Sequence, residues 1–171
     1  RYFGQYRSTE RLLPKYGYAS PGSLYATQLH LEHEGVAGLA PGYSYYHPVD
    51  HTLVRIGERE ATGHAGLRLH FTGRRRAIEP VYRNNILEVL EIETGHILGL
   101  FDEILPGHGL RVVPDGYDPA VRDRLRIPAE DYYLGSFRIV PLGPDEPAGL
   151  PPLDVYVQAH PGRIAGLPAG Q

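Results

Sequence analysis

The chain has 171 residues, of which 42% are hydrophobic and 22% charged, so it is long enough to bury a core and is expected to form roughly one domain. It contains no cysteine, which excludes disulfides, zinc-thiolate sites and thiol nucleophiles. The net charge of −3 argues against nucleic acid or an anionic membrane as the main partner. Apolar runs stay below the roughly 18 residues of a membrane span and no signal core opens the chain, so a cytoplasmic protein is expected.

The first half of the chain is predicted to form β-structure. Apolar and polar residues alternate over 29–33 and 52–56, and the aromatic run at 43–46 favours a strand between them. These segments predict a strand followed by a hairpin. Residues 68–72 predict a further short strand, and clusters of glycine and proline separate the elements.

The pattern changes to helical spacing in the second half. Apolar residues recur every three to four positions over 86–105 and Pro106-Gly107 supplies a stop, which predicts a long, mostly buried helix. Gly95 and Gly99 are four positions apart, so a neighbouring backbone is expected to come close to this helix. The remaining predicted elements are a strand at 110–113 that ends in a Pro-Asp-Gly loop at 114–116, a short helix at 118–125 and a strand at 132–140. The order mixes helices and strands without strict alternation, which indicates an α+β fold.

The end of the chain is similar to an earlier part of it. Residues 149–170 match residues 22–42 apart from a two-residue insertion near Pro161-Gly162. This self-similarity predicts one module at 1–143 followed by the start of a second, truncated copy at 144–171. The chain also opens at Arg1 and holds no methionine, which suggests a processed or excised piece.

The segment at 15–25 carries the most chemistry. It reads Lys-Tyr-Gly-Tyr-Ala-Ser-Pro-Gly-Ser-Leu-Tyr and sets a glycine between two serines. Amides and hydroxyls in such a turn can hold a ring or a phosphate, and the neighbouring Lys15 and Tyr16 offer a proton donor and acceptor. The alternative is an ordinary Gly/Ser turn ahead of a strand.

Two other patterns are weaker candidates for metal sites. His47 and His51 flank a Pro-Val-Asp turn, but Pro48 argues against the helix that would bring them together. Glu93 and His96 have the Glu-x-x-His spacing of carboxylate di-metal bundles but lack a second copy of the motif. We therefore interpret this second pair as the polar face of a helix and predict no metal.

Several motifs, in the same order along the chain, resemble one enzyme family. Residues 15–25, Leu-Ala-Pro-Gly at 39–42 and Tyr-Tyr-His-Pro-Val-Asp-His-Thr-Leu-Val at 45–54 look like the azoline oxidases. These thiazoline and oxazoline dehydrogenases, of ribosomal azole-peptide pathways and of nonribosomal peptide synthetase oxidase domains, are a branch of the FMN-dependent nitroreductase family. Gly-Leu-Arg-Val-Val-Pro-Asp-Gly-Tyr-Asp at 109–118 is similar to the strand and acidic-glycine loop of nitroreductases. The resemblance implies a nitroreductase-like fold, with an antiparallel-rich sheet packed around a long central helix.

The resemblance also implies roles for individual residues. Lys15 and Tyr16 match a Lys-Tyr pair that moves the proton while FMN takes the hydride, so they are the candidate catalytic residues. The candidate cofactor-binding residues are Ser20, Gly22 and Ser23, which match a loop that contacts the flavin, and Asp115 and Gly116, which match the loop whose amide faces flavin N5. The implied partners are a peptide or carrier-bound azoline and a second copy of the fold, in a homodimer or a tandem pseudo-dimer.

The function expected from the resemblance is FMN-dependent oxidation of thiazoline or oxazoline rings in a peptide to thiazoles or oxazoles. Pro21 departs from the family loop and removes an amide hydrogen, and the expected cationic anchors for the FMN phosphate are incomplete. An alternative is therefore a catalytically silent half that dimerises with an active partner or docks a carrier protein or precursor peptide. A third interpretation is a general nitroreductase or other flavin reductase.

Overall fold

A computed structural model of the protein describes residues 3–6, 15–63 and 65–144. The strands in these ranges are β1 (Gln5–Tyr6), β2 (Lys15–Tyr16), β3 (Thr27–Glu34), β4 (Gly42–His47), β5 (Thr52–Glu58), β6 (Gly66–Gly73), β7 (Leu110–Gly116) and β8 (Tyr132–Pro141). The helices are α1 (Arg75–Ile78), α2 (Ile86–Ile104) and α3 (Val121–Arg124), with 3-10 turns at Pro21–Ser23 and Leu105–His108. None of the described helices is both long and apolar enough to cross a membrane.

Six of the strands form one antiparallel sheet in the order β5-β4-β3-β6-β8-β7. The central pair, β3 and β6, is in register from Thr27 opposite Gly73 to Glu34 opposite Gly66. Side chains alternate between the two faces of a strand, so this register assigns one apolar and one polar face to the centre of the sheet. A separate two-stranded ribbon pairs β1 with β2 and sets Tyr6 opposite Lys15.

Helix α2 covers one face of the sheet. Its buried residues Ile97 and Phe101 pack against Leu69 and Phe71 of β6. Helix and strand are in close contact at Gly73, where an added Cβ would lie 2.5 Å from Leu90 Cδ1. A side chain at this position of β6 would therefore require Leu90 or its surroundings to shift.

The opposite face of the sheet carries a second, smaller core. Tyr43 and Tyr133 pack there against Val121 and Leu125, which α3 and its C-terminal end supply. The α+β prediction is therefore confirmed, with an antiparallel six-stranded sheet and a long helix. The strands predicted at 29–33, 52–56, 68–72 and 132–140 lie within β3, β5, β6 and β8.

Two expectations for the long helix are wrong. It is not mostly buried, because Leu87 and Ile92 are 45% and 54% exposed. No neighbouring backbone lies close to Gly95 or Gly99 in the described part of the chain, since a Cβ added at either residue would meet nothing within 4 Å there. The physical reason is that the sheet packs against one side of α2 and leaves the other side without a partner in the described part of the chain.

The Pro-Asp-Gly segment also differs from its prediction. Residues 114–116 continue β7 instead of forming a loop, because Gly116 pairs with Ser136 of β8 across a register shift. The second copy predicted at 144–171 falls almost entirely on residues 145–171, which lie outside the described residues. The division into 1–143 and 144–171 stays a prediction.

Candidate functional site

A cavity of about 220 Å³ opens at the end of the sheet where β3 begins and β4 ends. Its wall is rich in tyrosine and includes Tyr16, Tyr18, Tyr25, Tyr45 and Tyr46. Arg74, which follows β6, contributes the one guanidinium among the described lining residues. We call this space the tyrosine cavity; its aromatic walls suit a flat, conjugated ligand.

The turn that leads into β3 has an unusual backbone. Gly22, Ser23 and Tyr25 have φ values of 63°, 56° and 48°, all in the left-handed region. For residues other than glycine this conformation costs roughly 1–3 kcal/mol and persists only where the surroundings enforce it. Part of the compensation is local, because the Tyr25 amide donates to Ser20 Oγ at 2.8 Å. Strain of this kind is typical of segments that bind or position other groups.

Lys15 and Tyr16 meet this turn directly. Lys15 Nζ donates to Ser23 Oγ at 3.0 Å, and the Tyr16 amide donates to Tyr25 Oη at 3.3 Å. The rings of Tyr16 and Tyr25 lie with their centroids 4.0 Å apart. The structure thus brings together Lys15, Tyr16, Ser20, Gly22 and Ser23, although only Tyr16 of these forms part of the cavity wall.

Burial sets the protonation of the cavity phenols. It raises the pKa of Tyr16 above its ordinary value, and the neighbouring Tyr45 adds to the rise. Burial and the nearby carboxyl of Glu93 raise the pKa of Tyr18 further still. Both phenols therefore keep their protons at neutral pH and can donate a hydrogen bond or a proton to a ligand.

Two residues of α2 anchor the turn, and the sequence analysis did not assign them to the site. Glu93 is 1% exposed, and its Oε2 accepts hydrogen bonds from the amide and hydroxyl of Thr27 at 3.3 and 3.2 Å. His96 Nδ1 lies 2.9 Å from the Ala19 carbonyl oxygen and donates to it. Glu93 is buried, so its interpretation as part of a polar helix face is wrong. The missed signal is its position on the apolar stripe of the helix, between Leu90 and Ile97.

The other predicted pair lies elsewhere. Asp115 binds the guanidinium groups of Arg68 and Arg138, the latter at 2.7 Å, and Gly116 pairs with Ser136 in the sheet. Neither residue is among the described residues that line the tyrosine cavity. The carboxylate of Asp115 is thus engaged in ion pairs, and the flavin-facing role of Asp115 and Gly116 stays a prediction.

Comparison with curated proteins gives two similar sequences. The chain is 61% identical over its whole length to indigoidine synthase of Streptomyces lavendulae and 53% identical over 99% of its length to indigoidine synthase of Dickeya dadantii. It spans only 13% and 11% of the lengths of these two proteins. No protein-family profile matches the chain.

Comparison with solved structures shows a nitroreductase-like fold. A protein of Anabaena variabilis described as a nitroreductase aligns over 82% of this chain and 32% of its own, with a TM-score of 0.68 and 18% identity. The Escherichia coli microcin synthetase McbBCD complex with truncated pro-MccB17 bound aligns over 83% of this chain and 60% of its own, with a TM-score of 0.64 and 14% identity. A second protein described as a nitroreductase, from Ralstonia eutropha, has a TM-score of 0.59 and 16% identity over 75% of this chain and 63% of its own.

These comparisons correct the expected reaction. The expected oxidation of thiazolines or oxazolines is wrong, because the two curated proteins that match this chain over at least 99% of its length are both named indigoidine synthase. The motifs that suggested azoline oxidation are those implied to move a proton and to contact a flavin. They therefore carry no information about the ring that is oxidised.

Proposed function

We propose that this chain is a flavin-dependent oxidoreductase module of an indigoidine-forming synthase, and that it takes two electrons from an intermediate on the way to indigoidine. The support is twofold: a nitroreductase-like fold, and high identity over the whole chain to a small part of two indigoidine synthases. The observation that carries the proposal is the tyrosine cavity, with Tyr16 in its wall and Lys15 bonded to the adjoining turn.

The described residues fit FMN. The cavity of about 220 Å³ has aromatic walls, and Tyr16 and Tyr25 would pack against a flavin ring. Arg74 lines the cavity and forms no ion pair with described residues, so it could offer its charge to a phosphate. Bound FMN would supply the two-electron acceptor that no amino-acid side chain provides.

The residues of the chain would orient the substrate and handle its proton. Because the pKa of Tyr16 is raised, its phenol enters the reaction as a proton or hydrogen-bond donor. Ser23 Oγ accepts a hydrogen bond from Lys15 Nζ and so holds the lysine side chain at the turn. The apolar parts of Leu29 and Ile97 form the inner wall of the cavity and would keep water from the reacting atoms.

The proposal also includes a partner that delivers the intermediate. One structural neighbour is a synthetase complex with a truncated pro-peptide bound, which supports a module that works on material held by another component. The homodimer or tandem pseudo-dimer stays a prediction of the sequence analysis.

The first test uses the full-length protein that contains this chain. We expect it to purify with the visible absorbance of oxidised flavin and to form indigoidine. Lys15→Met and Tyr16→Phe should retain the flavin but form indigoidine at least about 100-fold more slowly, because a proton-transfer group is typically worth that much. Tyr117→Phe is the matched control, since Tyr117 is 63% exposed and lies outside the cavity wall.

Two outcomes would contradict the proposal. One is a colourless protein that takes up no added FMN and still forms indigoidine. The other is full turnover in both Lys15→Met and Tyr16→Phe, which would remove these residues from the reaction.

A further inference from the structure

We infer that Glu93 is a positioning residue for the tyrosine cavity: its buried carboxyl group ties the turn before β3 to α2 and thereby sets the place of Tyr16. The inference rests on the proposed function for its activity measurement. It concerns a residue whose side chain is not among the described cavity lining and that acts through the turn.

The two oxygens of the Glu93 carboxyl group differ, because Oε1 is buried and has no hydrogen-bond partner among the described residues, whereas Oε2 accepts two hydrogen bonds. The amide and hydroxyl of Thr27 both donate to Oε2. Burial raises the pKa of Glu93, and hydrogen bonds from Ser20 and Thr27 offset part of the rise. A carboxyl group is costly to bury unless its oxygens are satisfied, so packing alone does not account for a glutamate on this apolar stripe. An apolar side chain would fill the same space without that cost.

Contacts of Ser20 and Tyr25 connect the surroundings of Glu93 with the cavity wall. The Tyr25 amide donates to Ser20 Oγ, which leaves the hydroxyl hydrogen of Ser20 free to point towards Glu93. Tyr25 Oη in turn accepts from the amide of Tyr16. A change at Glu93 that displaces Ser20 would therefore move Tyr25, and through the Tyr25 phenol it would affect Tyr16.

The strain of the turn explains why an anchor is needed. Ser23 and Tyr25 hold left-handed backbone angles that a free loop would abandon. Glu93 and His96, three residues apart on α2, bind the two ends of the turn. Glu93 accepts a hydrogen bond from Thr27, and His96 donates one to the Ala19 carbonyl. Without Glu93 we expect the turn to relax and Lys15 to lose its place beside Ser23.

The experiment compares Glu93→Gln with Thr94→Ala in the full-length protein. Gln keeps the size of the side chain and an oxygen for Thr27, but its NH2 group cannot accept a hydrogen bond from the Ser20 hydroxyl. Its kcat for indigoidine formation should fall on the order of tenfold with KM unchanged, because the reacting groups are misplaced while the cavity remains. Hydrogen exchange should accelerate at residues 20–25 and stay unchanged in α2. Thr94→Ala should leave both measurements unchanged, since Thr94 is buried but donates only to Leu90 of its own helix.

Ser20→Ala provides a second variant that leaves the helix intact. It should also accelerate exchange at 20–25, and its effect on kcat should be much less than additive with Glu93→Gln, because both variants break one path. Wild-type kcat and exchange in Glu93→Gln would overturn the inference, as would faster exchange throughout α2 with equal loss in Thr94→Ala. The exchange measurement needs no flavin, so it still decides the role of Glu93 if the protein proves to bind none.

Discussion

Buried polar side chains cluster on the sheet face opposite α2. His70 is 1% exposed; its Nε2 lies 3.1 Å from Glu32 Oε2 and its Nδ1 lies 2.7 Å from Ser136 Oγ. Arg59 completes the cluster with an ion pair to Glu32 Oε1 at 2.8 Å. The carboxyl group of Glu32 and the imidazole of His70 depend on these partners, because both side chains are almost completely buried.

The pKa of Glu32 shows how strongly this cluster holds the charged form. Burial by itself raises the pKa, but the hydrogen bond from His70 and the charge of Arg59 outweigh it, so the folded value lies below the ordinary one. The stabilisation is therefore fully present above the ordinary pKa of a glutamate and is lost as the pH falls through the lower folded value.

Glu32→Gln should lower the free energy of unfolding by about 3 kcal/mol at neutral pH, because it breaks a buried pair. The difference from the wild type should shrink as the pH falls below the ordinary glutamate pKa. Urea unfolding, monitored by hydrogen exchange of the β3 and β6 amides, measures both effects. Glu88→Gln, on the exposed side of α2, is the control, and a difference independent of pH would disprove the assignment.

At the scale of elements, the contact between α2 and β6 determines how closely the helix approaches the sheet. Gly73 lies against Leu90, which is fully buried. Gly95 and Gly99 lie on the exposed side of the same helix and contact nothing there in the described part of the chain. Glycines in the same packing unit thus have opposite roles.

Gly73→Ala and Gly95→Ala form a matched pair of variants. Gly73→Ala should destabilise the protein by about 1–3 kcal/mol, since it overpacks a filled core. Gly95→Ala should stabilise it by roughly 0.5–1 kcal/mol, since alanine has the higher helix propensity and meets no neighbour. Hydrogen exchange of the α2 amides measures the change in stability in each of the two variants. Equal effects in both variants would show that the close approach at Gly73 is not important for stability.

At the scale of the whole molecule, the strand order brings two separate sites to the two ends and faces of one sheet. The tyrosine cavity lies where β3 begins and β4 ends, whereas the Glu32 cluster lies on the face away from α2. Histidines in the central strands couple the stability of this sheet to pH. His30 is 8% exposed, and burial together with nearby His70 lowers its pKa from 6.5 to about 4.

The protein should therefore lose stability on acidification before ordinary carboxylates titrate. Unfolded His30 takes up a proton near its ordinary pKa while the folded form resists until about pH 4, so up to about 3 kcal/mol is lost across that interval. His30→Gln should flatten the decline when stability is measured against pH. His108→Gln, at an exposed position, should leave the profile as it is; equal profiles for wild type and His30→Gln would contradict the argument.

Local patterns were enough to predict most elements. Alternation at 29–33 and helical spacing at 86–105 correspond to β3 and α2, because period and turn residues are properties of short segments. The Lys15-Tyr16 motif and its serine turn were likewise visible, since residues close in sequence form that contact. The substrate was not, because the roles that the resemblance implies for these residues concern a proton and a cofactor and not the ring that is oxidised.

By itself, then, the sequence determined the fold class, most of the longer elements and the motif that contains Lys15, Tyr16, Ser20 and Ser23. Tertiary structure decided that Glu93 faces this turn, that Gly73 and not Gly95 is the close contact, and that Asp115 is bound by Arg68 and Arg138. Each of these depends on contacts between residues that are distant in sequence or on which side of a helix a sheet covers. A local pattern reports which residues share a face, and only the assembled sheet determines what that face contacts.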